Sequence, residues 1–272
     1  MNIQKRNKIK GAVYGFAIGD AMGATTEFMS SYEISKKYGK FGCLNKIIGG
    51  GWLNLKPGEV TDDTEMTMCV MDALMFSTYE DLFKLECIKN FCNWLKSGPK
   101  DIGGQCAKSI NSLILEKDIP VDETALGNGS LMRAMPCALI YRNDLNIIQG
   151  KLTHNNDVCS GVIQNYSRLI QGYLDNKNIT NTIKGLLKPS GYIINTFNNA
   201  VFWSQKNSFY DAIIGPVNDG GDADTIAAIT GSLAGAKFGF NNIPNEWVNQ
   251  LNNDVKIFLE KFINFTFTYL QI

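Results

Sequence analysis

Two short acidic segments, far apart in the sequence, each stand at the start of an apolar run long enough to form a helix. The first is Thr61–Glu65, in which two adjacent aspartates precede the hydrophobic stretch Met66–Phe76. The second is Gly220–Ile226, in which Asp222 and Asp224 flank an alanine and are followed by a threonine. Two acidic helix starts brought together by the fold could share one cation.

The side chains available for metal binding favour a hard ion. His154 is the only histidine and no two cysteines form a C-x-x-C pair, which excludes a zinc site rich in imidazole or thiolate. Oxygen ligands of the kind that Mg²⁺ or Mn²⁺ prefers are plentiful. Five carboxylates would oppose the four positive charges of two divalent ions, and two hydroxyls would add neutral oxygens: Glu27, Asp62, Asp63, Asp222, Asp224, Thr61 and Thr225.

Helix capping is the ordinary alternative for both acidic segments, because aspartate and threonine commonly stand at the first position of a helix. A cap needs only one such side chain. Asp-Asp and Asp-x-Asp instead place acids close together, and these acids repel each other unless a cation intervenes. The occurrence of both segments in one chain therefore favours a metal site over two simple caps.

The glycine-rich segment Gly127–Arg133 is a second candidate site. A glycine-rich turn that enters a helix directs backbone N–H groups at an anion, and Arg133 would be close by. A plain loop with a serine cap explains the segment equally well, since it lacks the Lys-Ser/Thr ending of a P-loop and the full G-x-G-x-x-G spacing. Taken alone, His154 is more typical of a surface histidine and Asp101 of a turn residue.

Glycine spacing identifies the helices that must position these side chains. Four glycines near the N-terminus recur every fourth residue and would lie along one stripe of a helix: Gly11, Gly15, Gly19 and Gly23. The same spacing recurs after the second acidic segment: Gly231, Gly235 and Gly239. Each glycine costs a helix about 1 kcal/mol relative to alanine, and close packing of two backbones would offset that cost. We therefore predict that these two helices cross in contact.

Helical periodicity also predominates between the two stripes. The segment Leu82–Leu95 fits an amphipathic helix, whereas Met66–Phe76 is apolar nearly all round and should be central. Further helices are predicted near residues 104–116, 130–142, 157–175, 191–205 and 245–270. Only Cys43–Leu55 hints at extended chain. The sequence thus predicts an all-α fold, a compact multi-helix orthogonal bundle that forms one domain over residues 1–272.

Charge and composition restrict the partners of the protein. The 26 lysines and arginines balance 26 aspartates and glutamates, so we expect neither nucleic acid nor an anionic membrane surface as a partner. Basic residues before a modestly apolar N-terminal run mimic a secretory signal, but Asp20 and several glycines interrupt that run. The seven cysteines sit mostly among apolar neighbours, which is typical of reduced thiols and predicts a cytoplasmic protein.

Taken together, these motifs resemble the ADP-ribosylglycohydrolase family, whose members remove ADP-ribose from modified proteins. The resemblance spans most of the chain and extends to the order, spacing and identity of the motifs. The matching segments are Gly15–Ala24 with Glu27, Thr61–Thr64, Asp101–Gly103, Gly127–Arg133, Thr153–His154, and Gly220–Thr225 with Ala234–Ala236.

The resemblance implies site residues as well as an all-α fold with two Mg²⁺ or Mn²⁺ ions. By position, the metal ligands would be Thr61, Asp62, Asp63, Asp222, Asp224 and Thr225. The catalytic group would comprise Asp63, Glu27 beside the metals and Asp101, which matches an acid discussed as the base of bacterial enzymes acting on ADP-ribosylarginine. The segment Gly103–Gln105 departs from the Gly-Asn-Thr often found after that acid. The ADP-ribose pocket would be lined by Asn128, Gly129, Ser130 and His154.

The function implied by the resemblance is metal-dependent removal of ADP-ribose from a protein side chain, with arginine slightly preferred over serine. Water would attack the ribose anomeric carbon through an oxocarbenium-like state, whose positive charge nearby carboxylates stabilise. The expected partner is therefore an ADP-ribosylated protein or ADP-ribose itself. Two alternatives remain: a non-catalytic ADP-ribose-binding, immunity or structural member of the same fold, and a metal hydrolase of another nucleotide-linked substrate.

Overall fold

The computed structural model describes residues 2–177, 183 and 185–272, and it is built from helices. Thirteen α-helices are present in the described part of the chain, together with two single 3₁₀ turns, Asn128–Ser130 and Phe240–Asn242. The α-helices are α1 Asn2–Gly23, α2 Ser31–Tyr38, α3 Asp62–Phe76, α4 Glu80–Lys96, α5 Gly104–Ile114, α6 Met135–Leu139, α7 Asn143–Lys151, α8 Asp157–Leu174, α9 Ile193–Ser204, α10 Phe209–Asp219, α11 Ala223–Phe238, α12 Asn245–Gln250 and α13 Asn253–Tyr269.

The predicted all-α class is confirmed. Within the described residues, β-type pairing is limited to three isolated bridges, Ser30–Gly220, Gly50–Leu55 and Gly127–Tyr192. The extended chain suggested for Cys43–Leu55 therefore amounts to one of these bridges, which closes a tight turn. Glycines 49, 50 and 51 all adopt positive φ in that turn, a conformation that favours a turn over a continuous strand.

Helices α1 and α11 form the centre of the molecule and lie antiparallel with their backbones in contact. A Cβ atom on Gly15 would lie 2.2 Å from the carbonyl oxygen of Gly231, and one on Gly11 would lie 2.5 Å from that of Gly235. The predicted contact between the two glycine-striped helices is confirmed. Gly239 does not belong to the stripe, because α11 ends at Phe238 and Gly239 adopts a φ of 84° after it.

This antiparallel contact brings the end of α1 to the start of α11. A Cβ atom on Gly23 would lie 2.4 Å from the carbonyl oxygen of Ala223, the first residue of α11. The chain that leaves α1 also stays there, since the N–H of Phe28 donates to the carbonyl oxygen of Gly221 over 2.7 Å. Glu27 and the second acidic segment are therefore neighbours because of the glycine stripe.

Helix α3 is joined to α1 through the buried carboxylate of Asp20. This carboxylate accepts hydrogen bonds from the backbone N–H groups of Thr61 and Thr64, over 3.2 and 3.1 Å, and from both threonine hydroxyls. Such bonds satisfy N–H groups that a helix start leaves without intrahelical partners. The first turn of α3, with its two aspartates, is thus held against the same end of α1.

Three predicted helices have the expected positions, near 104–116, 157–175 and 191–205, whereas two predictions need correction. The segment 130–142 is a 3₁₀ turn followed by the short helix α6, whose Pro136 lacks the N–H that a continuous helix would use. The segment 245–270 is two helices. The side chain of Asn252 caps α13 and its N–H donates to the carbonyl oxygen of Gly58, which fixes the break.

The long apolar helices do not have the character of membrane spans. Across the described residues, none of the helices combines the length and the apolar content that crossing a bilayer requires. The apolar side chains of α1, α3 and α11 instead belong to one connected core, in which Phe16, Val70 and Ile229 are almost completely buried.

Candidate active site

A cavity of about 300 Å³ opens where the ends of α1, α3 and α11 meet. Within the described part of the chain, every charged side chain that lines it is acidic: Glu27, Asp62, Asp101, Asp222 and Asp224. The rest of the lining is uncharged and includes Asn128, Gly129 and His154. The fold thus brings both acidic segments and the glycine-rich segment to the same cavity.

The acidic side of the cavity contains a group of side chains suited to a cation. One carboxylate oxygen each from Glu27, Asp222 and Asp224 lie within 4.8 Å of one another. Asp63 lies just behind, where its Oδ2 accepts from the Thr225 hydroxyl over 3.0 Å and is 3.4 Å from the Thr61 hydroxyl. These distances bring both halves of the predicted ligand set together.

Two oxygens in this group lack a hydrogen-bond partner. Oδ1 of Asp63 and Oδ1 of Asp224 are both buried, and neither has a donor within reach among the described residues. A buried carboxylate oxygen without a donor is energetically costly, and a hard divalent ion would remove that cost by ligation. The donor set is oxygen throughout, so these residues fit magnesium or manganese.

Burial and mutual repulsion raise the pKa of every acid in this group. The pKa of Glu27 rises to about 8, mainly because the carboxyl is desolvated and then because Asp101, Asp222 and Asp20 are negative. Desolvation likewise raises the pKa of Asp20 and that of Asp222 to about 6. The pKa values of three further acids lie well above their ordinary range for the same reasons: Asp62, Asp63 and Asp224. Positive charge is what this arrangement lacks.

Helix capping accounts for only part of the acidic motifs. Thr61 is the N-cap of α3, and its hydroxyl accepts from the N–H of Asp63. Asp222 stands at the N-cap position of α11, but its side chain makes no capping bond. Oδ2 of Asp222 instead accepts from the side-chain amide of Asn128 over 2.5 Å. The aspartates of α11 therefore face the cavity rather than their own helix.

The glycine-rich segment forms a neutral wall of the cavity but not the start of a long helix. Asn128–Ser130 is a single 3₁₀ turn, and the N–H of Asn128 donates to the carbonyl oxygen of Gly191 over 2.9 Å. The expectation of a turn that enters a helix is therefore wrong. Asn128 and Gly129 line the cavity, whereas Ser130 is completely buried behind them.

His154 is buried, which corrects its interpretation as a surface residue. It is 2% exposed and lines the cavity, with Nδ1 2.8 Å from the hydroxyl of Thr153. Burial and the nearby charge of Arg133 lower the pKa of His154 to about 3, so the ring is neutral. Arg133 can only donate, so the Thr153 hydroxyl accepts a hydrogen bond from it. This arrangement favours donation from the Thr153 hydroxyl to Nδ1 of His154. The proton of the neutral ring is then on Nε2, which is a donor.

Arg133 lies under the neutral wall and does not line the cavity. Its guanidinium is completely buried and donates to uncharged oxygens: Gln149 Oε1, the Gly129 and Gln149 carbonyls and the Thr153 hydroxyl. It also stands 4.8 Å above the ring of Phe91. Arg133 is close to the glycine-rich segment, as expected, but it lies beneath the cavity lining and holds the turn and the residue before His154 in place.

Asp101 lies in the loop before α5 and lines the cavity. Its side chain is half-buried, and desolvation raises its pKa while the backbone of Ile102 lowers it. The position of Asp101 in a loop agrees with its interpretation as a turn residue. Because Asp101 also lines the cavity, its carboxylate is available to a substrate. Gln105, the last residue of the segment that departs from Gly-Asn-Thr, lines the cavity too and donates to the carbonyl oxygen of Thr153.

Comparison with known proteins decides the family. A model of the family described as ADP-ribosylglycohydrolase matches residues 1–267. The chain belongs to the ADP-ribosylglycohydrolase family. The predicted family and the predicted glycohydrolase class of enzyme are thereby confirmed.

Several relatives of this ADP-ribosylglycohydrolase chain carry names that state an activity, and two of them illustrate the similarity. ADP-ribosyl-[dinitrogen reductase] glycohydrolase of Rhodospirillum rubrum is 33% identical, with 90% of each chain covered. ADP-ribosylarginine hydrolase Tri1 of Serratia proteamaculans (strain 568) is 30% identical, with 92% of this chain and 77% of Tri1 covered. A solved ADP-ribosylglycohydrolase-related protein complex contains a chain with a TM-score of 0.82, covering 97% of this chain and 99% of its own at 22% identity, which shows the shared fold.

Three residues of this ADP-ribosylglycohydrolase site were missed by reasoning from the sequence. Asp20 was seen only as an interruption of an apolar run, although an acid on the buried face of a helix is itself a signal of a polar site. Trp52 donates its indole N–H to Glu27 over 2.5 Å, and Phe28 lines the cavity beside it. The available signal was the run of glycines before Trp52, because such a run indicates a tight turn that exposes the residue at its tip.

Proposed function

We propose that this protein is a divalent-metal-dependent hydrolase that removes ADP-ribose from a modified protein side chain, with arginine preferred over serine. The observation that carries the proposal is the group of buried carboxylates on one wall of the cavity, at the meeting point of α1, α3 and α11. The relatives named for ADP-ribosyl hydrolysis, one of them for ADP-ribosylarginine, support the substrate class.

Two Mg²⁺ or Mn²⁺ ions would be held by the oxygens of both acidic segments: Thr61, Asp62, Asp63, Asp222, Asp224 and Thr225. The unpartnered oxygens of Asp63 and Asp224 support this assignment, as does the proximity of Asp63 to both threonine hydroxyls. When bound, such ions supply Lewis acidity to the ribose hydroxyls and to the attacking water. Six carboxylates around them, Asp20 included, leave the site negative, which suits positive charge developing on the sugar.

Two acids of this chain would act on the reacting atoms, and Asp63 is the third member of the proposed catalytic group. Glu27 is oriented by the indole of Trp52, which occupies Oε2 and leaves Oε1 for a water or an ion. Asp101 lines the same cavity from the loop before α5 and is available to accept a proton from the attacking water. Asp63 lies behind Glu27 and Asp101 and would support them, held in place by the hydroxyls of Thr61 and Thr225.

The neutral wall would position the ADP-ribose portion of the substrate. Asn128 and Gly129 line the cavity, and the donor at Nε2 of His154 points towards the same turn, where a Cβ atom on Gly127 would lie 3.1 Å from it. Ser130 would act from beneath, by shaping the turn. A neutral histidine donor with fixed orientation suits a phosphate or ribose oxygen.

The test is release of free ADP-ribose from modified peptides in the presence of Mg²⁺. Peptides carrying ADP-ribose on arginine and on serine, identical otherwise, are incubated with the protein and analysed by mass spectrometry. The wild-type protein should release ADP-ribose faster from arginine, and the double variant Asp63→Ala with Asp224→Ala should release none. Unchanged release by the double variant would remove the metal mechanism.

Calorimetry, together with the release assay, separates the two alternative functions. Binding of ADP-ribose in a calorimeter, without turnover at any divalent ion, would indicate a non-catalytic binding protein. Release of phosphate without free ADP-ribose would indicate a hydrolase of another nucleotide-linked substrate.

We also propose that residues 1–272 form one ADP-ribosylglycohydrolase-like domain in the cytoplasm. One connected core that includes α1, α3, α8 and α11 supports the single domain. The seven cysteines are all free, and most are buried, which suits a reducing compartment.

A further inference from the structure

Two aromatic rings stand exposed at the mouth of the cavity. Phe28 is 67% exposed and Trp52 is 52% exposed, and their ring centroids are 5.4 Å apart with the planes tilted by 50°. Both rings line the cavity. Large apolar side chains that are exposed as a pair beside a buried polar site indicate a binding surface.

The backbone holds both rings in place, and for Phe28 it does so at some cost. Phe28 has a φ of 62°, which is unfavourable for a residue with a large side chain, and its N–H is tied to the carbonyl oxygen of Gly221. Trp52 lies in the turn closed by the Gly50–Leu55 bridge. That turn packs tightly against the end of α1, since a Cβ atom on Gly51 would lie 2.1 Å from the carbonyl oxygen of Ala24. Backbone strain of this kind persists where the surroundings require it.

The ring pair adjoins the acids that would act on the anomeric carbon. The indole N–H of Trp52 donates to Glu27, whose carboxylate is within 4.8 Å of oxygens of Asp222 and Asp224. A substrate whose ribose contacts this acidic group therefore has its leaving side chain beside the two rings. The rings are on the open side of the cavity, where a protein side chain must enter.

The charge of the cavity selects the kind of leaving group. All the charged side chains that line the cavity, among the residues described, are carboxylates. With the buried Asp20 and Asp63 there are seven, and two divalent ions would supply only four positive charges. The surplus of negative charge favours a cation at the mouth, and the faces of aromatic rings attract cations as well. A serine linked through its hydroxyl is uncharged, so neither the negative charge of the cavity nor the aromatic faces would attract it.

We propose that Phe28 and Trp52 form a leaving-group subsite that binds the guanidinium of an ADP-ribosylated arginine between aromatic faces and the carboxylate wall. This inference rests on the proposed function, because it names the residues that would give the arginine preference. Phe28 acts by its ring alone, whereas Trp52 contributes both a ring and the hydrogen bond that orients Glu27.

The experiment compares Phe28→Leu, Phe28→Tyr and Trp52→Phe on peptides that carry ADP-ribose on arginine or on serine. Leucine keeps the backbone constraint at positive φ and removes the ring, while tyrosine keeps the ring. Trp52→Phe keeps a smaller aromatic ring and removes the bond to Glu27. The matched control is Phe76→Leu, at an exposed phenylalanine that ends α3 away from the cavity.

Phe28→Leu should lower kcat/KM for the arginine-linked peptide by about five- to thirtyfold, the range that a partly desolvated cation–π contact provides. The change for the serine-linked peptide and for the Kd of free ADP-ribose should stay within about twofold. Phe28→Tyr and Phe76→Leu should resemble the wild type. Trp52→Phe should lower kcat for both peptides and keep the ratio between them.

Three results would overturn the subsite. The first is full arginine-linked activity in Phe28→Leu, and the second is an equal loss in Phe28→Leu and Phe28→Tyr. The third is an equal loss on both linkages with a weaker Kd for ADP-ribose, which would make Phe28 part of the ADP-ribose pocket. If the wild type hydrolyses only the arginine-linked peptide, the contrast between leucine and tyrosine decides. If the wild type releases no ADP-ribose from either peptide, the proposed function itself fails.

Discussion

The two walls of the cavity solve the problem of buried charge in opposite ways. The acidic wall crowds carboxylates at the ends of α1, α3 and α11 and leaves oxygens of Asp63 and Asp224 without a donor. The neutral wall rests on one buried cation, Arg133, whose guanidinium donates to four oxygens of Gly129, Gln149 and Thr153. The first wall lacks positive charge of its own, whereas the guanidinium under the second finds its acceptors within the protein, and only the buried Ser130 hydroxyl of that wall has no partner among the described residues.

The difference supports the proposal that the acidic wall takes part in the reaction and that the Arg133 network maintains the fold. Groups held in an unfavourable state by the rest of the structure are typical of functional sites, and improving them raises stability at the expense of activity. A satisfied buried network instead stabilises the structure that carries the site. Four predictions follow from this contrast, and each changes one wall while leaving the other intact.

The substitution Asp224→Asn should lower activity and raise the stability of the metal-free protein. It removes a buried charge that repels Glu27, Asp63 and Asp222, which is stabilising without ions, but it weakens the group that would act on the substrate. We expect a loss of kcat of about a hundred- to a thousandfold, as for other electrostatic groups in active sites. Thermal denaturation in EDTA should show a higher Tm than for the wild type.

The exposed Asp254→Asn should change neither quantity by much. A metal-free Tm that falls in Asp224→Asn would mean that the acidic wall is as satisfied as the neutral one, and the contrast between the walls would be lost.

The substitution Arg133→Met should destabilise the protein by about 3 kcal/mol with or without divalent ions. It leaves the buried acceptors of Gly129, Gln149 and Thr153 without their donor, and such unsatisfied groups are costly. Urea denaturation with and without Mg²⁺ measures this cost. The exposed Arg168→Met is the control and should stay within about 0.5 kcal/mol of the wild type. A cost that disappears on adding Mg²⁺ would contradict the independence of the two walls.

Stability without divalent ions should fall as pH rises from about 5 to about 8. The pKa of Glu27 in the folded protein is raised to about 8, while that of an unfolded glutamate is about 4.3. A group whose pKa is raised on folding stabilises the folded state at low pH, and this stabilisation is lost as pH increases through the folded value. The raised pKa values of Asp20 and Asp222 act in the same direction.

Mg²⁺ should reduce this pH dependence, because it takes the place of the protons. At a hundred times its Kd, the ion should stabilise by about 2.7 kcal/mol, and more strongly at pH 8 than at pH 5. Differential scanning fluorimetry at both pH values, with EDTA or MgCl₂, measures the effect. Equal Mg²⁺ stabilisation at both pH values would show that the acids are not the binding group.

The substitution Gly19→Ala should destabilise the protein by about 1–3 kcal/mol and lower activity as well. The added Cβ atom would lie 2.1 Å from the carbonyl oxygen of Ala227, so α1 must move away from α11 just where the acidic wall is assembled. Gly161→Ala in α8 is the control, because the added Cβ atom would have no atom within 4 Å. This substitution should stabilise the protein by up to about 1 kcal/mol. Equal effects at the two positions would contradict the role of the glycine contact.

The predictable parts of this molecule are those that local spacing determines. Glycines at every fourth residue of a helix leave one face without side chains, and that face allows another backbone to come into contact. The contact between α1 and α11 could therefore be predicted from the sequence. Acids before an apolar run specify a helix start, so both halves of the acidic wall were recognised from Thr61–Glu65 and Gly220–Ile226.

The parts that could not be predicted depend on what packs from elsewhere in the chain. His154 is polar and precedes a helix, and only the position of Arg133 and the glycine turn makes it buried. Trp52 has no helical periodicity, and its contact with Glu27 depends on a turn that fits the end of α1. The segment 130–142 has helical periodicity, yet the burial of Arg133 and the ring of Pro136 divide it.

The contact of α1 with α11 also has a consequence for the order in which the protein is made. The two helices lie at opposite ends of the chain, with Gly15 against the backbone of Gly231, so their pairing is highly non-local. Non-local pairings are slow to form because a long loop must close first. A growing chain on the ribosome therefore carries one half of the acidic wall long before its partner exists. The acidic wall becomes complete only when synthesis has passed the start of α11.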